Sequence, residues 1–246
     1  MFKKAHLVPS KPMQRSLYLW QYGDFGPPLV VFPSASGMAH EWEQKGMLDV
    51  LAPLVNAGKL KVYCVESNVS EAWTKKDTDP AWRLQRHLLY ERFLYDELVP
   101  YVRADCRSDD IPLGCAGTSL GAFYTLNAVL KQPETFRYGL CMSGRYQLQS
   151  FNPVQAPDMY FQNPLAYLPY LDGPSLARVK AQGVHLDLVC GRGPWEDGNW
   201  QETQAVAGHL ERKGVSHRLD LWGRDTDHDW PHWRKQAGMY LKARFG

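Results

Sequence analysis

No apolar run in this 246-residue chain approaches the roughly 20 residues of a membrane-spanning helix. Lys3 and Lys4 are not followed by an apolar stretch, so no secretory signal is expected. An excess of either charge is missing too. The 28 Lys and Arg against 26 Asp and Glu leave a net +2, too balanced to imply a nucleic-acid or membrane partner. Cysteine is sparse: five residues, an odd number with no close pairs. Four of them (Cys64, Cys115, Cys141, Cys190) sit in apolar, strand-like runs, where a free thiol serves as a small core residue. A reduced, cytoplasmic protein is expected. Asp225, Asp227 and Asp229 lack the glycine turn and terminal Glu of a calcium loop, and neither metal nor cofactor is expected. With no repeat, low-complexity tract or linker, residues 1–246 read as a single domain.

What the chain does have is an ordinary globular balance, 44% hydrophobic and 22% charged, with 13% aromatic residues and nine Trp. Its most informative stretch is Ile111 to Leu130. An apolar run reaches Ala116. Gly117-Thr118-Ser119-Leu120-Gly121 follows, and then a helically spaced set, Ala122, Leu126, Val129 and Leu130. The bare G-x-S-x-G pattern arises by accident in roughly one chain of this length in ten. Between a strand and a helix it is a nucleophile elbow. The turn strains the central residue and leaves no room for flanking side chains. In return it sets a hydroxyl at a helix N-terminus, where N–H groups favour negative charge.

Around this stretch the elements alternate. Ala5–Val8 and Ser16–Tyr22 are expected as opening strands. Leu29–Phe32, Lys61–Val65, Tyr138–Met142, Val184–Cys190 and His217–Trp222 are the later ones. Helices are expected over about 39–55, 80–103, 200–213 and 233–243, and residues 66–78 as a polar loop. Residues 145–174, rich in Tyr, Pro, Asn and Gln, lose the pattern and read as an irregular excursion over the active-site face. The alternation from residue 29 onward implies an α/β fold, a mainly parallel sheet with helices on both faces.

In such a sheet, reactive groups sit beyond the carboxyl ends of the strands. Three such loops carry Ser119, the pair Glu196-Asp197, and His228, in the order expected of an α/β-hydrolase. A serine hydroxyl needs a neighbouring base, imidazole can be that base, and a carboxylate fixes its tautomer. His228 is favoured because it follows the last strand. His232 is its nearest rival, at the start of the final helix. Spacing alone cannot separate Glu196 from Asp197. The oxyanion donors are expected to be the Leu120 N–H and either Ala35 or Ser36, in the small-residue loop after strand 29–32. Trp73, Tyr160 and Phe161 are expected to wall an apolar cleft beside Ser119.

Residues 117–122, Gly-Thr-Ser-Leu-Gly-Ala, and 227–233, Asp-His-Asp-Trp-Pro-His-Trp, resemble the putative-esterase group of α/β-hydrolases. That group includes S-formylglutathione hydrolase and the mycobacterial mycolyltransferases. The likeness runs from about Leu29 to Leu241. It implies a serine carboxylesterase or acyl hydrolase acting on a small-molecule ester, without a cofactor. In the mycolyltransferases a glutamate precedes the penultimate helix; setting that helix against Trp200–Gly214 puts the glutamate on Glu196. This chain lacks their secretion signal and longer loops, so transfer of long cell-wall lipids is not implied. An acyltransferase on the same three residues and a non-catalytic binding module are the competing functions.

Overall fold

The computed structural model describes residues 1–246. Eight strands form one sheet: β1 (Lys3–Ser10), β2 (Arg15–Tyr22), β3 (Pro28–Phe32), β4 (Lys61–Val65), β5 (Leu113–Thr118), β6 (Phe136–Met142), β7 (His185–Cys190) and β8 (His217–Leu221). Their order is β1-β2-β4-β3-β5-β6-β7-β8. The β1–β2 and β2–β4 pairs are antiparallel and all others parallel.

Burial follows from position in the sheet. Every residue of β3, β4 and β5 is buried, because helices cover both faces there. That is why those strands are continuous apolar runs. The β1–β2 hairpin alternates buried and exposed residues, as a sheet with one wet face must.

The helices are α1 (Glu41–Gln44), α2 (Met47–Asn56), α3 (Pro80–Arg92), α4 (Val99–Asp105), α5 (Leu120–Lys131), α6 (Pro157–Gln162), α7 (Pro164–Tyr167), α8 (Gly173–Ala181), α9 (Asn199–Lys213) and α10 (Trp230–Phe245). A π-helical segment, Phe93–Leu98, joins α3 to α4, so the helical run expected over 80–103 is nearly continuous. Asp79 caps α3 by accepting from Trp82 N–H at 2.8 Å, with Pro80 next in the first turn. On one face, α1, α2 and α10 pack around Trp42, Leu51 and Tyr240. On the other, α3, α5 and α9 share a larger core with Phe93, Phe123 and Leu210.

Two expectations need correction. Residues 145–174 are not irregular: they hold α6, α7 and two 3-10 turns, Leu148–Ser150 and Leu168–Tyr170. Prolines open three of these pieces and keep each too short to show a period. Asn163 ties the segment together, its amide donating to Gln147 and Gln149 and its oxygen accepting from Leu148 N–H. Residues 66–78 are not simply a polar loop either. A π-helical turn, Ser70–Thr74, turns Trp73 inward.

Candidate active site

Ser119 sits between β5 and α5 with φ 56° and ψ −119°, a backbone conformation that costs a serine about 1–3 kcal/mol. The glycines beside it are steric necessities. A Cβ on Gly117 would lie 2.2 Å from the Gly121 carbonyl carbon, and one on Gly121 would lie 2.5 Å from Phe32 O. The second contact shows how tightly the loop after β3 is pressed against the elbow. Ser119 N–H donates to Met142 O at 2.9 Å, which anchors the turn to the end of β6.

The loops after β7 and β8 are also pressed together. A Cβ on Gly191 would meet Thr226 O at 2.1 Å, and one on Gly193 would meet Asp227 Oδ1 at 2.2 Å. Gly193 N–H donates to Thr226 O at 2.9 Å. The two glycines thus let the chain segments carrying Glu196 and His228 approach. His228 Nδ1 lies 3.0 Å from Glu196 Oε2, while Asp197 is exposed. His232 lies within the first turn of α10.

Glu196 has no solvent exposure, and its carboxylate is heavily bonded. Ser143 Oγ donates to Oε1 at 2.5 Å, and Asn199 Nδ2 donates to Oε2 at 2.8 Å. Burial alone raises its pKa. The hydrogen bond and charge of His228, then the donors Ser143 and Asn199, outweigh burial and hold the carboxyl below its ordinary range. Asn199 is itself oriented: its Oδ1 accepts from Arg145 Nη1 at 2.7 Å, which turns its NH2 toward the acid.

Ser143 directly follows β6 with φ 51° and is almost wholly buried. Besides donating to Glu196, it accepts from Trp233 Nε1 at 2.9 Å. Trp233 presses edge-on against His228, with ring centroids 4.8 Å apart. One indole therefore steadies both His228 and the serine behind Glu196. Trp195, just before Glu196, has φ 66° and is 87% exposed.

His228 bonds through Nδ1 to Glu196 and lies 3.0 Å from Asn199 Nδ2; no hydrogen bond joins it to Ser119 Oγ. In the loop after β3, Ser34 N–H and Oγ both donate to Glu41, at 2.7 and 2.6 Å. Gly37 N–H donates to Ser34 O, and Ser36 N–H makes a long 3.4 Å contact with Ser34 Oγ. Ala35 N–H has no acceptor in the chain. Leu120 N–H, in the first turn of α5, has no intrahelical acceptor.

The aromatic wall expected beside Ser119 is not there. Trp73 is fully buried; its Nε1 donates to Tyr124 Oη at 2.9 Å and its ring packs on His87 and Phe123. It belongs to the core. Tyr160 and Phe161 line a groove of about 310 Å³ with Leu130 and Lys131, at the C-terminal end of α5. Ser119 lies at the other end of that helix, roughly 16 Å away along its axis. Sequence reasoning also missed Ser143, Asn199 and Trp233. The only available signals were the Ser143-Gly144 ending of a buried strand and the tryptophans after His228.

Solved structures share this architecture over almost the whole chain. A ferulic acid esterase superposes with a TM-score of 0.74 at 18% identity, covering 99% of this chain and 97% of its own. MPT51 (FbpC1) of Mycobacterium tuberculosis gives 0.74 at 15% identity, covering 99% and 97%. The S-formylglutathione hydrolase of Staphylococcus aureus gives 0.68 at 15%, covering 100% and 96%. The fold is that of the α/β-hydrolases. The family model described as "Putative esterase" matches residues 59–240; the chain belongs to that family, and with it to the serine ester hydrolases. No curated protein matches the sequence.

Proposed function

We propose that this chain hydrolyses carboxylic esters through an acyl-enzyme on Ser119, with His228 as general base and Glu196 as the acid that orients it. One observation carries the reading: a fully buried carboxylate lies 3.0 Å from His228 Nδ1, leaving Nε2 free to face a substrate-side partner. Ser119 Oγ attacks the ester carbonyl as its proton passes to His228 Nε2. The carbonyl oxygen becomes an oxyanion, held by the N–H groups of Leu120 and Ala35. Collapse expels the alcohol, which takes the proton from His228. Water then repeats the sequence on the acyl-enzyme, releasing the acid and freeing Ser119. The hydroxyl–imidazole hydrogen bond is expected to form in the substrate complex.

The same reading takes the whole chain as one domain that needs no second subunit for its chemistry. It also takes the location as cytoplasmic, which the five unpaired thiols support and cell fractionation would test.

The direct test is a fluorophosphonate probe together with p-nitrophenyl ester hydrolysis. Ser119 should be the labelled residue, and Ser119→Ala should keep its fold while kcat falls by about 10⁶. Labelling that persists in Ser119→Ala would refute the assignment.

A further inference from the structure

The sheet has two open edges, β1 and β8, and they are guarded differently. β1 carries Lys3 and Lys4 at one end and Pro9 near the other, residues that keep an edge from pairing with another chain. β8, His-Arg-Leu-Asp-Leu, has no proline, and its two charges cancel. Arg218 and Leu219 are exposed. A strand turns the N–H and C=O of successive residues to opposite edges. Ser216 O accepts from Leu186 N–H, and Trp222 N–H donates to Cys190 O, both across to β7. The even-numbered residues of β8 therefore face β7. His217, Leu219 and Leu221 turn their backbone groups outward, where nothing in the chain meets them.

That pattern is self-complementary. Two copies of β8 related by a two-fold axis at Leu219 run antiparallel. Leu219 then faces its own copy, and His217 and Leu221 face each other across the axis. These are pairs of the hydrogen-bonded kind, giving about six backbone bonds. Arg218 and Asp220 form the pairs between, where side chains come closest. Arg218 stands opposite Asp220 of the second copy, and Asp220 opposite its Arg218. A register shifted by one residue would set free backbone groups against bonded ones. An axis moved to His217 or Leu221 would leave part of each strand unpaired and break the charge match.

Both charges are available for this. The Arg218 guanidinium lies 4.9 Å from the centroid of the Tyr240 ring and meets no carboxylate of its own chain. Asp220 accepts through Oδ2 from Trp222 Nε1 at 3.1 Å and from Tyr240 Oη, which leaves Oδ1 open.

We propose that β8 is a homodimer interface, two copies pairing antiparallel about Leu219 and joining their sheets edge to edge. The partner is a second copy of this chain because an identical strand, run antiparallel, presents the two charges in the matching order. The pairing stands apart from the ester chemistry. Five residues a side is at the small end of specific interfaces, so the dimer should dissociate on dilution.

Sedimentation velocity from about 1 to 500 µM reads the mass. It should rise from the 28.1 kDa of one chain toward twice that. Arg218→Asp sets like charges opposite each other and should weaken association by at least about tenfold, and so should Asp220→Arg. An equal mixture of these two variants should recover a heterodimer, because each strand supplies the charge that the other lacks. Damaged folding would not be repaired by mixing. Leu219→Pro removes an outward N–H while leaving the β7 ladder intact, and should give monomers. A wild-type chain that stays monomeric at the highest concentration overturns the interface, as does a dimer indifferent to both charge reversals. A mixture no more associated than either variant alone overturns it too.

Discussion

Around Glu196 each carboxylate oxygen has a donor, whereas Ala35 and Leu120 offer N–H groups with no acceptor in their own loop or helix. The first region carries a charge that is present throughout the proposed reaction. His228, Ser143 and Asn199 hold it, with the Cys190 thiol a weaker fourth donor at 3.6 Å, inside a wall built from Ser143, Trp233 and Asn199. The second, in the proposed reaction, would face a charge that exists only in the transition state. Donors there would be useless if they were already satisfied. The backbone between them is fixed instead by Glu41, which occupies the neighbouring Ser34 N–H and hydroxyl. Permanent charge is thus enclosed and fully bonded, while transient charge is met by fixed but unspent dipoles.

The largest break in this contrast comes from the acid. Glu196→Gln keeps the shape but offers no charge to a protonated His228. Turnover should fall by about 10⁴, while Asp197→Asn, on an exposed side chain, should change it less than about twofold. Steady-state kinetics on one p-nitrophenyl ester decides between them, and a reversed ranking would make Asp197 the acid. On the other side, Ala35→Pro deletes a single N–H. It should cost about 10²–10³ in kcat with little change in KM, since the donor acts on the transition state. Equal loss in KM would point to a disturbed loop instead.

The smallest effect sharpens the comparison. Ser143→Ala leaves one carboxylate oxygen and the Trp233 indole N–H unpaired, which should cost about 1–3 kcal/mol of stability. The pH dependence has a definite sign. The Glu196 carboxyl is held below its ordinary 4.5 in the folded protein. Its stabilisation is therefore complete above that value and is lost as pH falls through the lowered one. Removing the Ser143 donor lets the folded value rise. The gap in Tm between wild type and variant should then be widest above about pH 4.5 and narrow on acidification. Thermal melts from pH 6 to pH 2 read this directly; a gap that widens in acid would contradict it.

Much of the architecture was legible in the sequence because burial on two faces writes itself as unbroken apolar runs, as in Leu29–Phe32 and Val62–Val65. The elbow was legible because its glycines and serine lie within five residues, and Gly117 is forced by a contact with Gly121 inside that stretch. What stayed hidden depends on partners far along the chain. Glu196 and Asp197 are adjacent carboxylates, and only the packing of residues 226–228 against residues 191–193 tells them apart. Ser143 acquires its neighbours from residues 53 and 90 positions away. Trp73 misled for the opposite reason. Its flanks, Glu71 and Lys75, look like those of a loop, yet one π-helical turn drives the ring into the core.

Of the five non-glycine residues with positive φ, three stand in or just beyond the ends of neighbouring strands: Ser119 after β5, Ser143 after β6 and Trp195 in the loop after β7. For anyone evolving this enzyme toward heat resistance, that row is a trap. Glycine at each position would relax the backbone; at Ser119 and Trp195 that should raise the melting point, whereas at Ser143 the lost hydrogen bonds to Glu196 and Trp233 offset the gain. At Ser119 it would erase the proposed nucleophile, and at Ser143 the hydroxyl that supports the acid. A selection on survival at high temperature alone would therefore enrich well-folded, inert molecules, and only one that also demands turnover would confine the gain to Trp195→Gly.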